Sequence, residues 1–118
     1  MAELLFGDYE SGLKRYEFRF KNKEKQFVLN AVPPCKLWDG NLNSTNLKLL
    51  LVSEQGLGDT LKWSSRLSLL ATQSGHCILE CQEKIVPLLS RSFPNVEVKA
   101  VDISRDAERD DFDLHLPM

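Results

Sequence analysis

The sequence predicts an α/β fold: a Rossmann-like parallel sheet in strand order 3-2-1-4 with helices on both faces, preceded by a separate helix. Three observations carry this expectation. From Leu47 onward, short apolar runs alternate with segments of helical periodicity, which is the pattern of βαβ units. The first run, residues 47–53, is almost continuously apolar, as a strand covered on both faces must be. Finally, right-handed crossovers require the chain to reverse after its third strand and place the fourth on the far side of the first.

The elements follow in order. Residues 2–6 read as the end of a helix turned at Gly7, and Tyr9, Leu13, Tyr16 and Phe20 then recur at offsets of four, three and four. That spacing lines one stripe of a helix over residues 9–20, with Asp8 placed to cap its first turn. The opening thus resembles part of a helical hairpin, and the helix is expected to pack through its four large side chains. Residues 21–26 are a charged connector. Residues 30–46, with Pro33-Pro34, Asp39-Gly40 and several Asn, read as irregular loop.

After the first strand, residues 59–73 carry Leu61, Trp63, Leu67, Leu70 and Ala71 at helical spacing, and Gly75 stands where a C-terminal cap belongs. Residues 77–81 form the second strand. Residues 83–92 form the second helix, in which Pro87 demands a late start or a kink. Residues 96–101 are the third strand and 112–116 the fourth. Between them, residues 102–113 hold six acids and two Arg, a charge run expected to be a solvated loop, without the spacing of an EF-hand.

Composition narrows the function classes. The chain has 118 residues, room for one packed core, with 42% apolar and 27% charged residues. Its net charge of −2 offers no basic field for nucleic acid or an anionic membrane. The longest apolar run is far below the roughly 20 residues of a membrane span, and the N-terminus lacks the features of a secretory signal, so a cytoplasmic setting is expected. Three Cys, at 35, 77 and 81, are an odd set that argues for reduced thiols. Cys77 and Cys81 share one side of a strand, and a zinc site would need Cys35 and His115 to converge on them, so buried structural thiols are the expectation. His76 and His115 are expected at the surface or at strand ends, and Trp38 and Trp63 in the core.

Information concentrates where the first strand hands over to the first helix, in Ser53-Glu54-Gln55-Gly56-Leu57-Gly58-Asp59-Thr60. In a parallel sheet this is the ligand edge, because strand carboxyl ends and helix amino ends converge there. Gly56 and Gly58 lack a Cβ, so the backbone can turn sharply and a ligand can approach closely. The simpler alternative is a tight turn in which Asp59 caps the helix. A Walker A loop is absent, since Asp59-Thr60 stands in place of Lys-Ser or Lys-Thr. The dinucleotide fingerprint is partial: Leu61 occupies the third glycine position, although Glu80 stands near the place of the ribose-binding acid. A nucleophile elbow is excluded by Leu57 between the glycines.

The run Glu54-Gln55-Gly56-Leu57-Gly58-Asp59-Thr60, with Trp63 and Arg66 after it, resembles the signature of glycosyltransferase domains that follow tetratricopeptide repeats in bacterial proteins and are related to the heptosyltransferases. Gly7-Asp8-Tyr9 with Tyr16-Glu17-Phe18-Arg19 is similar to the last repeat helix before such domains. Trp38-Asp39-Gly40, Leu79-Glu80-Cys81-Gln82, and Phe112-Asp113-Leu114 with Leu116-Pro117 resemble later segments of their first half. The resemblance implies that residues 1–26 end a tetratricopeptide-like helical segment and 27–118 form the N-terminal half of a two-lobed, GT-B type domain. The missing second half would bind the nucleotide-sugar donor. This half would serve the acceptor, a sugar or protein hydroxyl, and would be inactive alone.

The resemblance also implies roles. Asp59 corresponds to the acid placed as catalytic base, with N-capping as its rival role, and Gln55, Gly56, Gly58 and Thr60 are the substrate-binding candidates. Arg66 either faces the cleft or pairs with an acid on its own helix. No metal or other cofactor is implied. The alternative from a different class is a non-catalytic protein-interaction module derived from such an enzyme, and a nucleotide-binding domain rests only on the partial glycine pattern.

Overall fold

The structure, a computed structural model, describes residues 5–16, 18, 37–40, 46–54, 56–102 and 111–118. Four parallel strands, β1 (Lys48–Val52), β2 (His76–Cys81), β3 (Glu97–Ala100) and β4 (Leu114–Pro117), form one sheet in the order β3-β2-β1-β4. The order is the one the sequence predicts. Leu50 stands opposite both Ile78 and His115, so the central strand is paired on each side. Beyond β4, Leu37 makes a parallel bridge to His115, and Trp38 donates its N–H to the His115 carbonyl at 2.8 Å.

Alternation along the strands divides the core in two. One face gathers Leu49, Leu51, Cys77, Leu79 and Cys81 under Leu67, Ile85 and Leu89, and so receives the helices that follow β1 and β2. On the other face Leu50, Val52 and Ile78 cluster with Phe112. The described helices that pack on the sheet lie on the first face, and the expectation of helices on the second falls outside the described residues. Asp113 sets the β1–β4 register from the side: its Oδ2 accepts the Lys48 N–H at 2.7 Å, and its own N–H reaches the Lys48 carbonyl at 2.9 Å.

The helices depart from the sequence reading in instructive ways. Helix α1 (Tyr9–Tyr16) starts as expected, with the Ser11 N–H donating to Asp8 Oδ1 at 3.2 Å and Gly7 turning at φ +82°. Its apolar stripe packs only in part, with Tyr16 half-buried. Tyr9 and Leu13 are 65% and 58% exposed, and Gly12 is its buried residue. Phe20, the last member of the stripe, lies outside the described residues, as do the charged connector, the proline-rich loop and the proposed 26/27 boundary.

The single helix expected over 59–73 is two, α2 (Leu57–Ser64) and α3 (Leu67–Gln73). The Ser64 and Ser65 hydroxyls bond the Leu61 and Lys62 carbonyls at 2.6 and 2.9 Å, taking up acceptors of the helical ladder, and the Arg66 N–H reaches back only three residues to Trp63. Paired serines of this kind bend or end helices. Gly75 is not a left-handed cap, since positive φ among the described residues belongs to Gly7 and Gly40. Ser74 ends α3 instead in extended conformation, and Gly75 and His76 both donate to the Leu47 carbonyl on the way into β2. Pro87 takes the late-start solution: Glu83–Ile85 is a 3₁₀ turn, and α4 (Val86–Ser92) begins with the proline in its first turn, where its missing N–H is not required. No helix among the described residues is long and apolar enough to cross a membrane.

Candidate functional site

The order β3-β2-β1-β4 reverses direction between β1 and β4, and a parallel sheet opens a crevice at the carboxyl ends of such a pair. Here the ends are tied together: the Met118 N–H donates to the Val52 carbonyl at 2.8 Å and the Glu54 N–H to the Met118 carbonyl at 3.1 Å. Val52 is followed by Ser53 and Glu54, and the chain enters α2 through Gly56. The glycine-containing loop therefore sits at the switch point, with Gly56, Leu57, Gly58 and Asp59 exposed there.

Gly56 is the N-cap of α2, with φ −67° and ψ 172° and no side-chain cap. Asp59 is consequently in the first turn and is not the cap that the simpler reading assigned to it. A carboxylate in a first turn is favoured by the helix dipole, and at an exposed site this contributes about 0.3–1 kcal/mol. The first intrahelical bond runs from the Thr60 N–H to the Gly56 carbonyl at 3.1 Å, so the amides of the three preceding residues lie in the turn that has no helical acceptors. Gly56 and Gly58 are not demanded by the turn. Neither has a positive φ, and a Cβ at either position would meet nothing within 4 Å. The space in front of both is open.

Thr60 behaves differently from its neighbours. It is 2% exposed, and its hydroxyl lies 2.5 Å from Ser53 Oγ, 3.2 Å from Gln82 Oε1 and 3.2 Å from the Gly56 carbonyl. Ser53 Oγ also reaches Gln82 Oε1 at 3.4 Å. Three residues, one past the end of β1, one in α2 and one past the end of β2, thus share two hydroxyl protons and fix the loop to the sheet. Sequence reasoning assigned no role to Ser53 or Gln82, although both directly follow strands that pair in parallel. Thr60→Val, which keeps the shape and deletes the hydroxyl, is expected to cost about 1–3 kcal/mol because Ser53 and Gln82 lose a buried partner. A urea denaturation midpoint that falls for Thr60→Val and is largely retained by Thr60→Ser would bear this out, and equal midpoints for Val and wild type would refute it. Gln55, the remaining candidate, lies outside the described residues.

His115 is not at the surface: it is 1% exposed inside β4, with its ring edge-on to Phe112 at 6.1 Å and 79°. Trp63 is not core but 42% exposed, with the Lys62 ammonium 5.8 Å from its ring centroid. Trp38 does pack against the first-face core. His76 stands at the start of β2, paired with Glu97 at 2.6 Å, and Lys99 pairs with the same carboxylate at 2.6 Å. These hydrogen bonds, from Lys99 first and His76 second, hold the Glu97 carboxyl below its ordinary range. Cys77 and Cys81 face the same core, where burial pushes the Cys77 thiol up to about 11 and raises Cys81 as well. Such thiols are poor nucleophiles and poor metal ligands at neutral pH. Glu80 is 5% exposed on the opposite face, in register with Val52 and Lys99.

Beside the loop, α1 and the α2–α3 corner enclose a cavity of about 350 Å³. Leu13 and Tyr16 form one wall, Trp63, Arg66, Leu69 and Leu70 another, and Leu116, Pro117 and Met118 the floor, with Glu54 joining it from the loop. Arg66 therefore faces a cavity, and among the described residues it has no ion-pair partner on its own helix.

No family model matches the chain, and no solved structure matches it. It is similar to Protein FlbA of Caulobacter vibrioides, with 29% identity over 100 residues, which cover 82% of this chain and 16% of that protein. The chain thus spans only a small part of the length of the relative it matches.

Proposed function

We propose that this chain is the acceptor-side N-terminal half of a two-lobed glycosyltransferase, in which Asp59 is the catalytic base. The observation that carries the reading is the placement of Gly56, Gly58 and Asp59 at the switch point, exposed, with open space over two glycines that the fold does not need. A glycine without a structural requirement leaves room for close approach of a ligand to the backbone. The amides of the first turn of α2 are suited to sugar or phosphate oxygens. In this reading Thr60, Ser53 and Gln82 position the loop, and ligand contact falls to the glycines and Asp59.

The chemistry is a displacement at the anomeric carbon. The acceptor oxygen forms the new C–O bond, the bond to the nucleoside diphosphate breaks with its electron pair leaving on phosphate oxygen, and the acceptor proton passes to the Asp59 carboxylate. A group that takes a proton in the transition state contributes about 10²–10⁴-fold to the rate. The donor is held by the second lobe.

A second reading, a protein-interaction module without catalysis, is favoured by one observation, the exposed Tyr9 side chain of α1 with Leu5 and Phe6 beside it at 84% and 89% exposure. Release of nucleoside diphosphate from nucleotide-sugars separates the two. The 118-residue chain alone is expected to release none, and a longer chain in which this segment is followed by a second Rossmann-like lobe is expected to turn over. Turnover by the short chain would place the donor site in this half, against the proposal, and inactivity of both would favour the interaction module.

A further inference from the structure

We propose that the cavity between α1 and the α2–α3 corner binds a small carboxylate with an aliphatic body, its head on Arg66 and its chain against Leu13, Leu70, Leu116 and Met118. The volume of about 350 Å³ is within the range of roughly 300–1,000 Å³ typical of small-molecule sites. Its walls are mainly aliphatic, which selects a chain over a polar or strongly hydrated ligand. The charged side chains in its lining are those of Arg66 and Glu54. Arg66 lines the cavity, Lys62 stands four residues before it over the Trp63 ring, and among the described residues neither cation has a carboxylate within ion-pair distance.

A guanidinium beside apolar walls matches a carboxylate in two parallel hydrogen bonds, and low local polarity strengthens them. Glu54 lines the same cavity and already takes part in an interaction within the chain, so its charge disfavours a second anionic group on the ligand. The preferred ligand is therefore a monoanion. Binding in this cavity is independent of sugar transfer, since it involves neither Asp59 nor a second lobe.

Decanoate, decanol and decyltrimethylammonium are suitable probes, titrated into the full chain and into Arg66→Met while the Trp63 indole N–H and the Leu70 and Leu116 methyl groups are followed by NMR. Decanoate is expected to shift these signals in a saturable way, to bind at least tenfold more tightly than decanol, and to lose that advantage in Arg66→Met. Decanol is expected to bind both proteins equally, which shows that the apolar walls are intact in the variant. Absence of shifts at these residues would overturn the proposal. Equal affinity for decanoate and decanol in the wild type would overturn it too, as would tightest binding of the cationic probe or undiminished decanoate binding by Arg66→Met.

Discussion

Replacing Phe112 by Ala is expected to remove about 3–5 kcal/mol of stability, a large part of the roughly 5–15 kcal/mol that holds a domain of this size folded. Phe112 is 1% exposed and caps the second face of the sheet, against Leu50, Val52 and Ile78 and edge-on to the His115 ring. Its loss removes the transfer free energy of a phenyl ring and leaves a cavity over the β1–β2 face that strand backbones cannot close. Phe112→Leu, which refills most of the volume, is expected to cost less than about 1.5 kcal/mol. By contrast Leu88→Ala on the outer side of α4, where Leu88 is 42% exposed, should stay within about 0.5 kcal/mol. Denaturant midpoints at unchanged slope measure all three. A Phe112→Ala midpoint close to that of Leu88→Ala would mean that the second face is not closed by this residue.

Why the fold was legible and the packing was not is clear from particular residues. Leu49, Leu50, Leu51 and Val52 announce a strand covered on both sides because consecutive apolar side chains have no other reason to occur where one face could be wet. Topology then follows from handedness. The break between α2 and α3 is harder to read, because apolar spacing continues through Ser64, Ser65 and Arg66 while the serine hydroxyls take up carbonyls of the ladder. Periodicity reports which face is apolar and says nothing about competing local acceptors. The stripe of α1 packs only in part for a related reason: Tyr9 and Leu13 satisfy helical spacing whether or not a partner covers them.

At the candidate site, the loop was legible because strand ends and helix starts meet on one edge of any parallel sheet. The roles within it were only half legible. Asp59 looks like a cap in sequence, yet the helix begins two residues earlier at Leu57, so the N-cap is a glycine with no side chain to contribute. Thr60 looked like a ligand contact, but it is on the inward side of α2, where Ser53 and Gln82 take its hydroxyl. Ser53 and Gln82 could be found from the sequence only by placing β1 and β2 side by side in register. Arg66 needed the α2–α3 break, since its place at the start of α3 turns it along a cavity wall that a continuous helix over 59–73 does not predict.

The proposed role of Asp59 as catalytic base is tested most directly by the transfer rate of Asp59→Asn in a chain that carries this segment and a second lobe. Because Asp59 is exposed and does not cap α2, Asn should leave the fold and the denaturation midpoint almost unchanged, with a cost of no more than about 1 kcal/mol from the helix dipole. For the same reason Asp59→Ala is an equally clean variant, with no cap to lose. Both are expected to lower kcat by about 10²–10⁴-fold at an unaltered midpoint, as removal of a general base does. Wild-type turnover by Asp59→Asn would contradict the proposed role, leaving Asp59 as a first-turn acid that complements the dipole of α2 and the proposed acceptor-side half without a base for the acceptor proton.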